Sequence, residues 1–209
     1  MVQKFVQCFC LLLGLLLAGH GAAQDRMVKV EKPVLTPQPD KALVIFVRPS
    51  MLGGAYDAII FDTVESTKDG EEKIVGFLGP HDKIAYQADP GKHWFFNTSV
   101  GGQASHLLAN LEAGKTYYVR IKGHIGFLAG RFSLRPVSRE AGAEYFFDPQ
   151  EAESWKTADN YYEATPAVEA WMKENRDSII EKKRESLARW QGLDAEQKNS
   201  LTLKASEGH

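Results

Sequence analysis

Apolar residues in this chain follow two periods, and the change from one to the other divides it. Between residues 41 and 137 they recur at every second position in short runs, whereas beyond Asp148 they recur at every third or fourth. The first run, Ala42-Leu43-Val44-Ile45-Phe46-Val47, is continuously apolar, rich in β-branched residues and closed by Arg48-Pro49. That is the pattern of a strand covered on both faces. Further strands are expected over 58–62, 73–78, 83–88, 93–100, 105–111, 116–122 and 131–137. Asp69-Gly70, Gly79-Pro80, Pro90-Gly91, Gly101-Gly102 and Ala113-Gly114 lie between them and suit tight reversals. Short strands so punctuated predict a mainly β fold, an antiparallel β-sandwich of about seven or eight strands.

Two strands carry the argument in detail. In 116–122, Tyr117, Val119 and Ile121 share one face while Thr116, Tyr118, Arg120 and Lys122 share the other, which is expected to be wet. In 93–100, Trp94 and Phe96 alternate with His93, Phe95 and Asn97, so both faces are partly apolar and the strand is expected to lie between layers.

The remainder, 138–209, reads as a helical extension. Asp148-Pro149-Gln150-Glu151 supplies a cap, a proline for the first helical position and an acid in the first turn. Thr165-Pro166 opens a second helix whose stripe of Val168, Met172, Ile179, Leu187 and Trp190 ends near Gly192, interrupted by Lys183. Its other face is densely charged. Asp194-Ala195-Glu196-Gln197 has the form of a capping box for a last short helix, after which 205–209 is expected to fray. The long helix, which also carries Trp171 and Ile180, is expected to pack back on a sheet, self-associate or bind a partner.

The first 23 residues have the basic, apolar and small-residue order of a secretory signal, with cleavage expected after Ala23. The apolar run from Phe5 to Ala18 is about 14 residues, short of the ~20 a spanning helix needs, so no integral membrane anchor is expected after cleavage. Cys8 and Cys10 both lie within it, which leaves no disulfide, thiolate site or lipidated cysteine for the mature chain. Residues 24–40, with Pro33, Pro37 and Pro39, read as an extended linker. The formal charge of −2 is spread along the chain, with no basic footprint for nucleic acid or anionic lipid.

Candidate chemistry is sparse. His81, His93, His106, His124 and His209 fall at none of the spacings that place two imidazoles on one metal, so no metal or other cofactor is expected. Neither a Gly-x-Ser-x-Gly elbow nor a mature cysteine is present, and the carboxylates Asp57, Asp62, Glu65 and Asp69, in or near loops, read as solvated surface. Gly53-Gly54 and Gly101-Gly102 lack the context of a phosphate-binding loop. Trp94, Phe95, Phe96, Tyr117 and Tyr118 would make either a core or, with Tyr118 beside Arg120, a stacking platform for sugar rings or peptide side chains. Asn97-Thr98-Ser99 is a formal glycosylation acceptor, meaningful only in a eukaryotic secretory pathway.

Three segments carry a resemblance: 41–49, Ala88-Asp89-Pro90-Gly91-Lys92-His93, and Glu112-Ala113-Gly114-Lys115-Thr116-Tyr117-Tyr118-Val119-Arg120. Together they resemble a family of small exported bacterial domains of unknown function, and the Pro-Gly-Lys-His step is similar to PEGA-like sandwich modules. The resemblance spans roughly 41–137 and implies a β-sandwich in the cell envelope, periplasmic or secreted, with no catalytic residues to carry over. The chain departs from it in its long helical tail. The expected function is a non-catalytic scaffold or interaction module that meets another envelope protein through Trp171, Met172, Ile179, Leu187 and Trp190. The alternatives are a glycan-binding module using Tyr118, Arg120 and Trp94, and a hydrolase whose site converges only in three dimensions.

Overall fold

The computed structural model describes residues 26–64, 67–99, 102–124 and 130–209. The expected signal segment, Glu65, Val100 and Gly101 lie outside the described residues. Every strand expected between 41 and 137 is present within two residues of its predicted bounds: β2 (Ala42–Val47), β3 (Ala58–Thr63), β4 (Lys73–Leu78), β5 (Lys83–Ala88), β6 (Gly91–Thr98), β7 (Ser105–Leu111), β8 (Thr116–His124) and β9 (Arg131–Pro136). Three short strands were not signalled by the apolar pattern: β1 (Met27–Lys29), β10 (Tyr162–Ala164) and β11 (Thr202–Leu203). The helices are α1 (Pro149–Trp155), α2 (Ala167–Gln191) and α3 (Ala195–Ser200).

The strands form a four-stranded sheet in the order β5-β2-β8-β9, a five-stranded sheet in the order β11-β7-β6-β3-β4, and a two-stranded ribbon of β1 and β10. The sandwich is not antiparallel throughout, because β2 pairs with β8 and β11 with β7 in parallel. Three apolar clusters stack through the molecule. Val44, Phe46, Ile60, Phe95, Tyr117, Val119 and their neighbours fill the space between the two large sheets. Leu43, Ile45, Tyr118 and Val137 lie on the outer face of the four-stranded sheet beneath Ala152 and Trp155 of α1. Ile59, Phe61, Phe77 and Phe96 lie on the outer face of the five-stranded sheet beneath Val168, Trp171 and Ile179 of α2. Each sheet is thus buried on both sides, which is why β2 is apolar at every position and β6 at both phases of its alternation.

This arrangement corrects the wet face expected of β8. Tyr118 is only 2% exposed, its ring set against Trp155 and Phe147. A period-two pattern shows which residues share a face; it does not show that a helix from far along the chain will cover that face. The final residues, expected to fray, form a 3₁₀ turn at Ala205–Glu207. His209 exchanges two backbone hydrogen bonds with Thr116, and its ring stacks on Phe147. The segment read from its prolines as a linker carries β1, which pairs with β10, while Val30 and Leu35 pack against the cluster under α1.

The edge of β9 is closed by side chains from the opposite sheet. Buried Asn97 donates Nδ2–H to Phe132 O at 3.2 Å and accepts from Ser105 Oγ–H at 2.6 Å, while Leu134 N–H donates to Ser105 Oγ at 3.2 Å. An open edge would offer those backbone groups to another chain. Asn97→Leu is therefore expected to cost about 2 kcal/mol, because it leaves buried Phe132 O without its donor and the Ser105 hydroxyl without its acceptor, and to promote association. Urea unfolding and light scattering would measure the two effects. The same burial removes Asn97 as a glycosylation acceptor in the folded chain.

Candidate functional site

Tyr118, Arg120 and Trp94 do not assemble into a platform. Tyr118 and Arg120 belong to β8 in one sheet and Trp94 to β6 in the other. Arg120 forms an ion pair with Glu151 of α1 at 2.7 Å and lies over Tyr145, and Trp94 meets Trp190 edge to face at 5.3 Å. The apolar stripe of α2 is likewise engaged inside the fold. Trp171 packs on Phe77 and Phe61, Met172 joins them, Ile179 and Trp190 are buried, and Leu187 is half-buried. The aromatic and apolar residues that looked available for a ligand or a partner are buried or half-buried in contacts within the fold.

Two polar constellations inside the molecule were not legible in the sequence. In the first, His93 Nδ1 lies 2.8 Å from Asp62 Oδ1, His93 Nε2 lies 2.8 Å from Asp89 O, and Tyr86 OH donates to Asp62 Oδ2 at 2.8 Å. Both imidazole nitrogens face acceptors, so both act as donors, and the ring is held as an imidazolium against the Asp62 carboxylate. Burial opposes that charge, but the bond to Asp62 and its field outweigh burial and raise the His93 pKa above the ordinary value. Burial first, then the field and the hydrogen bond of Asp62, push the Tyr86 hydroxyl well up. Every group is paired and the cluster lies between the sheets, so it acts as a polar plug joining β3, β5 and β6. In the second, Ser186 Oγ lies 2.6 Å from His106 Nδ1 beneath α2, both residues buried. This serine and histidine have the pairing of a nucleophile and base, but the helix seals them from any substrate.

The surface feature with the most specific construction lies at the end of the sandwich where β2 leads into β3. Arg48, buried to 1% exposure, directly follows β2 and turns its guanidinium into the loop beyond. Nη1 donates to Tyr56 O and Leu78 O, both at 2.7 Å, and Nη2 donates to Gly53 O at 2.9 Å and Leu52 O at 3.2 Å. The guanidinium also lies over the Phe132 ring at 4.4 Å. Burial draws the Arg48 pKa below its ordinary value, while Asp57 and Asp82 push it back up. Burial also raises Asp82, against the Gly79 N–H that it accepts. Gly53 has φ +74°, and a Cβ there would stand 3.1 Å from the Phe132 ring, so the tight loop depends on glycine at that position. Held in this way, the loop presents Met51 at 63% exposure and Leu52 at 41%. A groove of about 430 Å³ is lined by Arg48, Pro49, His81, Asp82, Trp155 and Asn160. His81 and Asn160, both in its lining, have left-handed backbone. Arg48-Pro49 and Gly53-Gly54 were the signals in the sequence, although they read only as a strand end and a turn.

Among the described residues, no three His, Cys, Asp or Glu side chains are placed to hold a metal ion, and no helix is long and apolar enough to cross a membrane. No protein-family model matches the chain, and no curated protein matches it. One solved structure that is similar in part is the NMR structure of a protein from Eubacterium rectale, 19% identical, covering 46% of this chain and 88% of that one with a TM-score of 0.32. The class defined by the coordinates is a mainly β protein, a two-sheet sandwich flanked by helices on both outer faces.

Proposed function

We propose that this protein is a non-catalytic interaction module of the bacterial cell envelope, exported by its first 23 residues, and that it meets a partner protein through the loop held by Arg48. One observation carries the reading: a buried guanidinium satisfies four carbonyls so that two apolar side chains, Met51 and Leu52, stand in solvent on a fixed backbone. Burying a charge for that purpose is costly, and a preorganised apolar tip recovers the cost as binding without loop-ordering entropy. The order of basic, apolar and small residues at the start supports export. The Pro-Gly-Lys-His and Ala-Gly-Lys-Thr-Tyr-Tyr steps, which resemble those of exported bacterial sandwich domains, support the envelope. A binding role also accords with the two histidine clusters, one saturated and the other sealed. The tail helix is docked on the sheet, so the proposed contact moves from α2 to the loop.

The test pairs the mature chain with a Met51→Asp/Leu52→Asp variant in cross-linked capture from envelope extract. Both substitutions are at solvent-exposed positions, so the two chains should unfold at the same urea concentration. The expected result is a protein recovered with the first chain and reduced at least about tenfold with the second. Equal recovery by both chains would end the proposal for this loop.

A further inference from the structure

His106 sits where α2 crosses the five-stranded sheet and is 3% exposed. Its ring stacks on Phe96 at 5.6 Å and meets the edge of Trp94 at 5.9 Å. Above it, Ser186 Oγ lies 2.6 Å from Nδ1 and donates its own proton to Lys183 O at 2.9 Å. With the hydroxyl proton committed to that carbonyl, Nδ1 carries the imidazole proton and donates it to Oγ. Nε2 is then a bare lone pair, buried and without a hydrogen-bond partner.

The charges around this ring are cationic. From α2 come Lys183 and Arg189. Lys183 forms ion pairs with Glu72 and Asp69, and Asp69 also pairs with Arg184. Arg189 donates to Ala104 O and lies 3.9 Å from Glu185. From β6, Lys92 lies over the Trp94 ring. A proton added to Nε2 would place an N–H donor where it has no acceptor and a positive charge beside two others.

We propose that α2 is an acid-released latch, and that protonation of His106 undocks it from the outer face of the five-stranded sheet while the two-sheet core stays folded. Three separate features converge on this: the unpartnered Nε2, the cations on the helix, and the polar contacts that tie the helix down around the ring, beside the apolar contacts of Val168, Trp171 and Ile179. Besides the lysine and serine contacts, Lys182 donates to Gly102 O and Arg189 to Ala104 O.

Burial first, then Lys183 and Arg189, pull His106 down to about 3 while the helix is docked. Released into water, the ring titrates near its ordinary value. The docked state therefore binds fewer protons, and acid favours release. The contribution to docking is fully present above about pH 6.5, falls by up to tenfold per unit below that, and is exhausted near pH 3. His93 acts in the opposite sense. Its raised value makes its bond to Asp62 a stabilising contribution that persists as pH falls below neutrality, which favours a core that outlasts the latch.

Three of the four tryptophans, Trp94, Trp171 and Trp190, line this interface and give a direct readout. The experiment follows their emission in the mature chain from pH 7 to pH 4, with hydrogen exchange measured by mass spectrometry at each step. The expected result is a red shift together with loss of protection in α2, while β2, β6 and β8 remain protected. In His106→Gln and His106→Phe, either of which suffices if the other fails to fold, the transition should disappear or move down by about one pH unit or more. A wild-type chain whose α2, β2 and β8 lose protection in a single step would overturn the proposal. So would substituted chains that release the helix at the wild-type pH.

Discussion

Lys183→Met is expected to lower the unfolding free energy by about 3–5 kcal/mol, the cost of removing one partner from a buried ion pair. Lys183 is 0% exposed and reaches Glu72, Asp69 and Lys68 O, so the helix is tied to the connection between β3 and β4. Glu72 has only 4% of its side chain exposed, and methionine would leave its carboxylate buried without the ammonium. The double variant Lys183→Met/Glu72→Leu removes both charges and should recover most of the loss, since an apolar pair of similar volume is often as stable as the ion pair it replaces. Urea unfolding of the wild-type, single and double variants gives the coupling directly. A single variant within about 0.5 kcal/mol of wild type would show that solvent reaches Glu72.

Arg48→Met should cost about 3 kcal/mol and act mainly on one loop. Methionine fills much of the same volume but leaves Leu78 O, Tyr56 O, Gly53 O and Leu52 O without their donor. Leu78 O is buried and must stay unsatisfied, whereas the loop carbonyls can turn toward water if the loop opens. Limited proteolysis should therefore find new cleavage between residues 49 and 57 well before β2 or β8 becomes accessible. Arg48→Lys should fail almost as badly, because a single ammonium cannot span four carbonyls in a planar fork. Unchanged protease resistance in both variants would mean that the loop is held by its own turns.

The strands were legible because each carries its evidence locally: β-branched runs, alternation, and glycine or proline at the reversals. The helix starts were legible for the same reason. Asp148 accepts from Gln150 N–H, and Asp194 and Gln197 form the reciprocal capping box that their spacing predicts. What the sequence did not disclose depends on partners distant in the chain. Lys183 looked like an interruption of an apolar stripe because Glu72 and Asp69, which make it a buried residue, lie in another element. Tyr118 looked exposed because nothing near it in sequence announces Trp155. Asp62, at the end of its expected strand, read as a solvated carboxylate, yet it is buried and its charge is held by His93 and Tyr86 from two other strands. The candidate loop was the least legible part, since its decisive residue, Arg48, appeared only as the polar end of an apolar run.

The pairing of β1 with β10 has a kinetic corollary. These strands join stretches far apart in the chain, and β11 completes the five-stranded sheet beside a strand far earlier in the sequence. Contacts of such long sequence separation must await loop closure, so assembly should be slow, on the millisecond-to-second scale of chains dominated by non-local pairing. Until those last strands dock, the flanks of both sheets stay open, and a polypeptide in that interval depends on dilution or on a chaperone to avoid its neighbours.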